Sequence, residues 1–300
     1  MQPITTPPLH SRNALRTSPI PANAPPHPNQ VAQKLMGRSY LSWSSISTFL
    51  RCPMQFRYQY VEGRQPEFVS ANLVLGSAIH SAIEFHYQQL FAGMKAPTLE
   101  TLLDIYDQAW KEESGEIRFG KGESAASLRD LATRMLTAFQ NHDLSKLDTS
   151  VSRLIGVEET LRGATIPSVP DILGRIDLLI ETPDALQIVD FKTSRSSWSS
   201  TKVNEAAPQQ LLYSKLVQPI ANSLGKPIDI AWVVLTKTKQ PKVEVHRLVP
   251  DPKHIRRIEA MVQRVWQAIQ HQCFYPNPSV MNCSTCSHFN TCNSEEETSP

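Results

Sequence analysis

The chain has 300 residues, 40% of them hydrophobic, with a formal charge of +2 and a pI near 8.2. That length allows one large or two small domains around a sizeable core, and the charge neither requires nor excludes a nucleic-acid partner. No apolar run reaches the ~18 residues of a membrane span, so no membrane partner is expected.

Residues 1–37 open the chain with a segment dense in Pro, Ser, Thr and Asn. Such a composition cannot bury a core and reads as a disordered tail. It carries Arg12 and Arg16, and no acidic residue precedes Glu62. These features weakly resemble an organelle transit peptide, but the prolines oppose the amphipathic helix that such peptides form. The expected location is the cytoplasm, with organelle targeting left open.

Apolar spacing predicts helices near Ser44–Glu62, Leu73–Phe91, Leu99–Glu113 and Ser124–His142. Strands follow near Val151–Arg162, Ile172–Glu181 and Leu186–Thr193, then a helix from Asn204 to Leu224. A hairpin over 228–249 and a helix from Pro252 to Gln272 complete the ordered chain, and residues 294–300 read as a solvated acidic tail. That order predicts one α/β domain over 38–293, a sheet flanked by helices with an extra helical layer on the N-terminal side.

The stretch GRIDLLIETPDALQIVDFKTS, Gly174–Ser194, reads as two strands around a turn at Pro183 and Asp184. Centring the turn there opposes Asp177 to Asp190 and Arg175 to Lys192. Strand alternation then gathers these four on one face with Leu179 and Ile188, and puts Ile176, Leu178, Ile180, Val189 and Phe191 on the other. Two opposed carboxylates repel, so a cation belongs between them. Either Arg175 and Lys192 neutralise them, or they hold Mg²⁺ or Mn²⁺ with Lys192 beside the ion.

Three further motifs need weighing. GEIRFGKG, Gly115–Gly122, lacks the Ser or Thr that a P-loop places after its Lys, so it reads as a loop between helices. VLGSAIHSAIEFHY sets Gly76, His80 and Glu84 four apart on one helix face. His80 gains a metal-ligating role, oriented by Glu84, only if this helix packs over the acidic end of the hairpin. CSTCSHFNTC supplies Cys283, Cys286 and Cys292, and the distant Cys52 is the natural fourth ligand. Four thiolates suit Zn²⁺ or a [4Fe–4S] cluster, and spacing does not choose between them. Cys273 is left over. With no secretory signal, this usage points to a reducing compartment and a metal site rather than to disulfides.

Together, Gly76, His80, Asp177, Asp190-x-Lys192, Gln209 and Tyr213, in that order, resemble the RecB-like branch of the PD-(D/E)XK nucleases. Cys52, Cys283, Cys286 and Cys292 resemble its iron–sulfur subgroup, which includes the AddB nuclease domain and the CRISPR-adaptation nucleases. The resemblance runs from about Tyr40 to Cys292. It implies a restriction-endonuclease-like mixed sheet whose two chain ends are joined by a Cys₄ cluster, [4Fe–4S] rather than Zn²⁺. It also implies Mg²⁺ or Mn²⁺ held by His80, Asp177, Asp190 and the Phe191 carbonyl. Lys192 would prepare the attacking water, and Gln209 and Tyr213 would orient the site or the strand. Glu158 is an assisting carboxylate or a surface one. The implied activity is hydrolysis of DNA, as an exonuclease on single strands or free ends in repair or recombination, with a helicase among the partner classes. The rival is a silent nucleic-acid-binding or scaffold module. Basic residues from Lys237 to Arg257, and Arg51 and Arg57 beside Phe56 and Tyr58, suit a DNA path or a solvated face equally well.

Overall fold

The computed structural model describes residues 26–142 and 153–298. Its first element lies inside the segment expected to be a tail. Helix α1, Pro28–Met36, starts with Pro in its first turn under a His27 cap and stops at Gly37, which takes a left-handed φ of 68°. Ala32 and Met36 are buried in the core, with Val31 and Leu35 packed beside them. The proline-rich composition concealed a short amphipathic stretch, so the ordered chain begins at least ten residues earlier than expected. Arg12 and Arg16 lie outside the described residues.

Strand β1, Tyr40–Ser42, feeds α2, Trp43–Arg51, whose Ser42 cap exchanges hydrogen bonds with Ser45. The single helix expected over 44–62 is broken at Cys52, which is extended (φ −156°, ψ 108°). Pro53 is the cause, because a residue before proline is pushed out of the helical region. A short α3, Pro53–Phe56, and a π turn, Arg57–Val61, follow. Then come β2 (Val69–Ser70), α4 (Ala71–Phe91), α5 (Leu99–Lys111), β3 (Ile117–Arg118) and α6 (Ala125–Gln140). The GEIRFGKG loop lies between α5 and α6, and its β3 pairs in parallel with β2. The remaining elements are β4 (Arg153–Gly163), β5 (Asp171–Glu181), β6 (Leu186–Ser194), α7 (Ser200–Leu224), β7 (Ile228–Thr236), β8 (Val243–Leu248), α8 (Pro252–Gln270), α9 (Val280–Cys283) and α10 (Phe289–Thr298).

Six strands make one mixed sheet in the order β1-β5-β6-β7-β8, with β4 also paired to β5. β1–β5 and β6–β7 are parallel, and the other pairs are antiparallel. Apolar side chains cover both faces, as a sheet between two helical layers requires. Leu178, Ile180, Val189, Phe191 and Val233 pack with α4, α5 and α6. Ile172, Leu179 and Ile188 pack with α1, α2, α7 and α8.

The β5–β6 hairpin has the expected register, Leu178 opposite Val189 and Leu179 opposite Ile188, with Thr182 and Ala185 closing the turn. The ladder stops at Leu178. On that edge β5 pairs with β1 through Leu173 and with β6 only from Leu178 onward, which leaves residues 174–177 between two partners. The strand also turns over there. Ile176 packs with Leu179 in one core and Leu178 in the other, against the strict alternation expected for Ile176. Opposite this point, Glu158 of β4 has a positive φ of 54°. The face change is therefore shared by both strands, and it brings polar residues to a place where a regular sheet would bury apolar ones.

Candidate active site

A cavity of about 730 Å³ opens where the β5–β6 ladder ends, walled by α4, α7, the middle of β4 and β5 and the end of β6. Gly76 lets α4 approach β6, since a Cβ there would stand 3.2 Å from Thr193 Oγ1. One turn later His80 reaches the acidic end of the hairpin, its Nδ1 3.7 Å from Asp177 Oδ2. The condition for a role of His80 is thus met. Burial, then the charge of Lys192, lowers its pKa to about 4, so the ring is neutral near pH 7.

Asp177 lines this cavity, and Asp190 lies beneath it, bonded to Lys192. Asp177 Oδ2 accepts a hydrogen bond of 2.8 Å from the Phe191 N–H. Asp190 is only 3% exposed. Lys192 Nζ lies 2.8 Å from each of its oxygens, but only the approach to Oδ1 has hydrogen-bond geometry, and Oδ2 is buried without a hydrogen-bond partner. Burial raises the pKa of both carboxyls, against the lowering charge of Lys192. Burial would lower Lys192 in turn, but Asp190 and Asp177 outweigh it and hold the ammonium above its ordinary range.

Four neighbours depart from expectation. Arg175 does not join Lys192. It turns to Glu158 and to Glu84, the latter at 3.3 Å, because the strand turns over at Asp177. Glu84 therefore does not orient His80; its other partner is Gln88 Nε2 at 2.8 Å. Glu158 is no surface carboxylate. Its side chain is 11% exposed, and burial followed by the charge of Asp177 raises its pKa to about 7. Finally, Gln209 lines the cavity beside Tyr213, but it is Gln210 that donates 2.8 Å to Asp190 Oδ1. Helical spacing from Tyr213 points to 209, and only the sheet-facing side of α7 reveals 210. Tyr213 packs over Gly174, where a Cβ would come within 2.9 Å of its ring.

Among the described residues no three His, Cys, Asp or Glu side chains stand close enough to hold an ion as they are. The floor nonetheless fits a divalent cation. The buried carboxylate of Asp190 and the part-buried one of Asp177 lie close together past the end of the ladder, Asp190 has a buried oxygen without a hydrogen bond, and a neutral imidazole stands beside them.

The two chain ends meet elsewhere. Cys52, Cys283, Cys286 and Cys292 line one cavity of about 140 Å³, and all are free thiols. Asn277 and Asn282 both donate to the Arg51 carbonyl, at 2.9 and 3.2 Å, and the Met54 N–H donates to the Tyr275 carbonyl at 3.1 Å. Glu295, expected in a solvated tail, accepts from Tyr58 at 2.8 Å and from Arg64 at 2.6 Å. Cys273 is exposed and outside this cavity.

With this geometry in place, the sequence matches the model of the PD-(D/E)XK nuclease superfamily over residues 40–293. The chain belongs to that superfamily. The mixed sheet flanked by helices is its restriction-endonuclease-like fold. A candidate exonuclease from Eubacterium rectale, 15% identical, aligns over 86% of this chain and 90% of its own with a TM-score of 0.53, a likeness of fold. SSO0001 is 13% identical and aligns over 83% of this chain and 94% of its own, with a TM-score of 0.35. No curated protein matches the sequence.

Proposed function

We propose that the chain is a metal-dependent DNA nuclease of the RecB-like, iron–sulfur kind, acting as an exonuclease on single strands or free ends in repair or recombination. The observation that carries the reading is the cavity floor, where Asp177, Lys192 and His80 line the space over the buried Asp190 at the end of a broken ladder. A silent module has no use for two such carboxylates around an ammonium.

Asp177, Asp190, His80 and the Phe191 carbonyl would hold Mg²⁺ or Mn²⁺. When bound, such an ion supplies a water of lowered pKa and offsets charge on the phosphate. The Phe191 N–H fixes Asp177, and Gln210 fixes Asp190. Lys192, held as an ammonium beside the carboxylates, positions the attacking water and by its charge favours the hydroxide form. Tyr213 and Gln209 line the wall along which the strand lies.

In the second cavity Cys52, Cys283, Cys286 and Cys292 would hold a [4Fe–4S] cluster with a structural role, Zn²⁺ being the less fitting occupant. Five free thiols suit a reducing compartment such as the cytoplasm.

The test is digestion of end-labelled single- and double-stranded DNA with Mg²⁺, Mn²⁺ or EDTA. Metal-dependent release of short products from single strands or ends is expected. Binding of DNA without cleavage in either metal would turn the reading to the silent module.

A further inference from the structure

One end of the catalytic cavity holds two cations that no carboxylate pairs directly. β6 and β7 run parallel and end side by side at Ser194 and Thr236. The Lys237 N–H donates to the Ser194 carbonyl at 2.6 Å, so Arg195 and Lys237 leave the sheet together. Lys237 lines the same cavity as His80, Asp177 and Lys192, and Arg195 is exposed beside it. Burial, then the charge of Arg195, holds the Lys237 amine below the ordinary lysine range.

Among the described residues, neither the Lys237 ammonium nor the Arg195 guanidinium has a hydrogen bond or an ion pair. Glu123 lies within electrostatic reach of both, one negative charge against two positive, and its oxygens are bonded to neutral donors rather than to either cation. They accept from Asn72 Nδ2 at 2.9 and 3.1 Å and from the Gly120 N–H at 2.9 Å. The other end of the cavity differs, since Arg175 there is matched by Glu158 and Glu84. Two adjacent cations, one of them part-buried, are unfavourable unless an anion joins them.

The geometry points to Lys237 and Arg195 as a phosphate subsite that grips the substrate strand at a backbone phosphate beyond the bond being cut. This rests on the nuclease reading of the cavity. Lys237 and Arg195 thus hold the strand in the cavity without touching the reacting phosphate.

Strand binding is measured in EDTA, where no chemistry intervenes, by anisotropy of a labelled single strand of about 12 nucleotides across a salt series. Lys237→Gln should weaken binding about tenfold, as expected for loss of a charged hydrogen bond. The slope of log affinity against log salt should fall by about 0.7 for each phosphate no longer gripped. Arg195→Gln should do the same, while Lys237→Arg retains most of the affinity. With Mn²⁺ present, Lys237→Gln should raise KM and leave kcat nearly unchanged. Equal effects on probes with and without a 5′-phosphate support a backbone phosphate, whereas an effect confined to the phosphorylated probe overturns it. Unchanged affinity and slope in both Gln variants overturn the subsite altogether. If the wild-type chain binds the strand with these effects but never cuts it, the nuclease reading fails and the subsite stands.

Discussion

Asp177 on β5 is bonded to the Phe191 N–H on β6 at 2.8 Å, immediately past the last paired residues of the two strands. A side chain has taken over the bond that the next rung of the ladder would have made. The carboxylate is thereby fixed in orientation and kept beside Asp190, at a place where strand pairing alone would have turned both inward.

This double role separates two substitutions. Asp177→Asn keeps an oxygen for the Phe191 N–H but loses the charge, so it should abolish cleavage and retain stability. Asp177→Ala should be less stable than Asp177→Asn by about 1–3 kcal/mol, the cost of a buried N–H without a partner. Lys192→Ala should lower cleavage by about a hundredfold or more. Urea unfolding and single-turnover cleavage of the three purified variants make the check. Robust cleavage by folded Asp177→Asn or Lys192→Ala would remove the site assignment.

His80 and Glu84 share a helix face, yet only His80 faces Asp177, while Glu84 pairs with Arg175. His80→Ala should therefore lower activity by roughly tenfold or more and weaken Mn²⁺ binding. Glu84→Ala should act less, since it removes one partner of an Arg175 that keeps Glu158. Isothermal titration with Mn²⁺ and initial rates distinguish the two. Equal, negligible effects would leave His80 as an ordinary helix residue.

Gln210 was not legible from the sequence, and it offers an independent probe of the same floor. It is 2% exposed and donates to Asp190 Oδ1. Gln210→Leu should leave stability within about 1 kcal/mol, because Lys192 still bonds that oxygen. It should weaken Mn²⁺ binding roughly tenfold, as loss of a ligand's orienting partner does. Unchanged Mn²⁺ affinity in a folded Gln210→Leu variant would show that Asp190 does not depend on it.

The contrast between Gln209 and Gln210 marks what sequence reading can reach here. Periodicity located α4 to α8 and β4 to β8 closely, because each buries an apolar stripe or face on a sheet covered on both sides. The hairpin register followed from the Pro183–Asp184 turn and was right where the ladder exists. Alternation failed at Ile176 and Arg175 because β5 turns over at Asp177, and no residue type announces such a turn-over. Helix α1 was hidden by composition, its apolar residues diluted among prolines and polar neighbours. The partners of Glu84 and Glu158 depend on where three separate elements meet, which local pattern does not contain.

The four cysteines around one cavity lead to the last expectation. Cys52 and Cys283 are far apart in sequence, and a group bound by both closes nearly the whole ordered chain into one loop. Such closure removes freedom chiefly from the unfolded chain, so metal binding becomes folding free energy. The seam already joins Arg51 to Asn277 and Asn282, and Tyr58 and Arg64 to Glu295, so the cavity walls are held before anything enters. Cys52→Ala and Cys286→Ala should therefore lose the bound metal to a similar extent and lower Tm by roughly 5–15 °C. Cys273→Ala should change neither, because its thiol is exposed and bonds weakly at 3.9 Å to the His271 carbonyl. Iron, zinc and acid-labile sulfide are measured on protein purified without oxygen, beside thermal unfolding of each variant. Full iron occupancy in Cys52→Ala, or iron loss in Cys273→Ala, would mean that Cys52 is not the fourth ligand. Zinc without sulfide in the wild-type chain would keep the staple and replace its occupant.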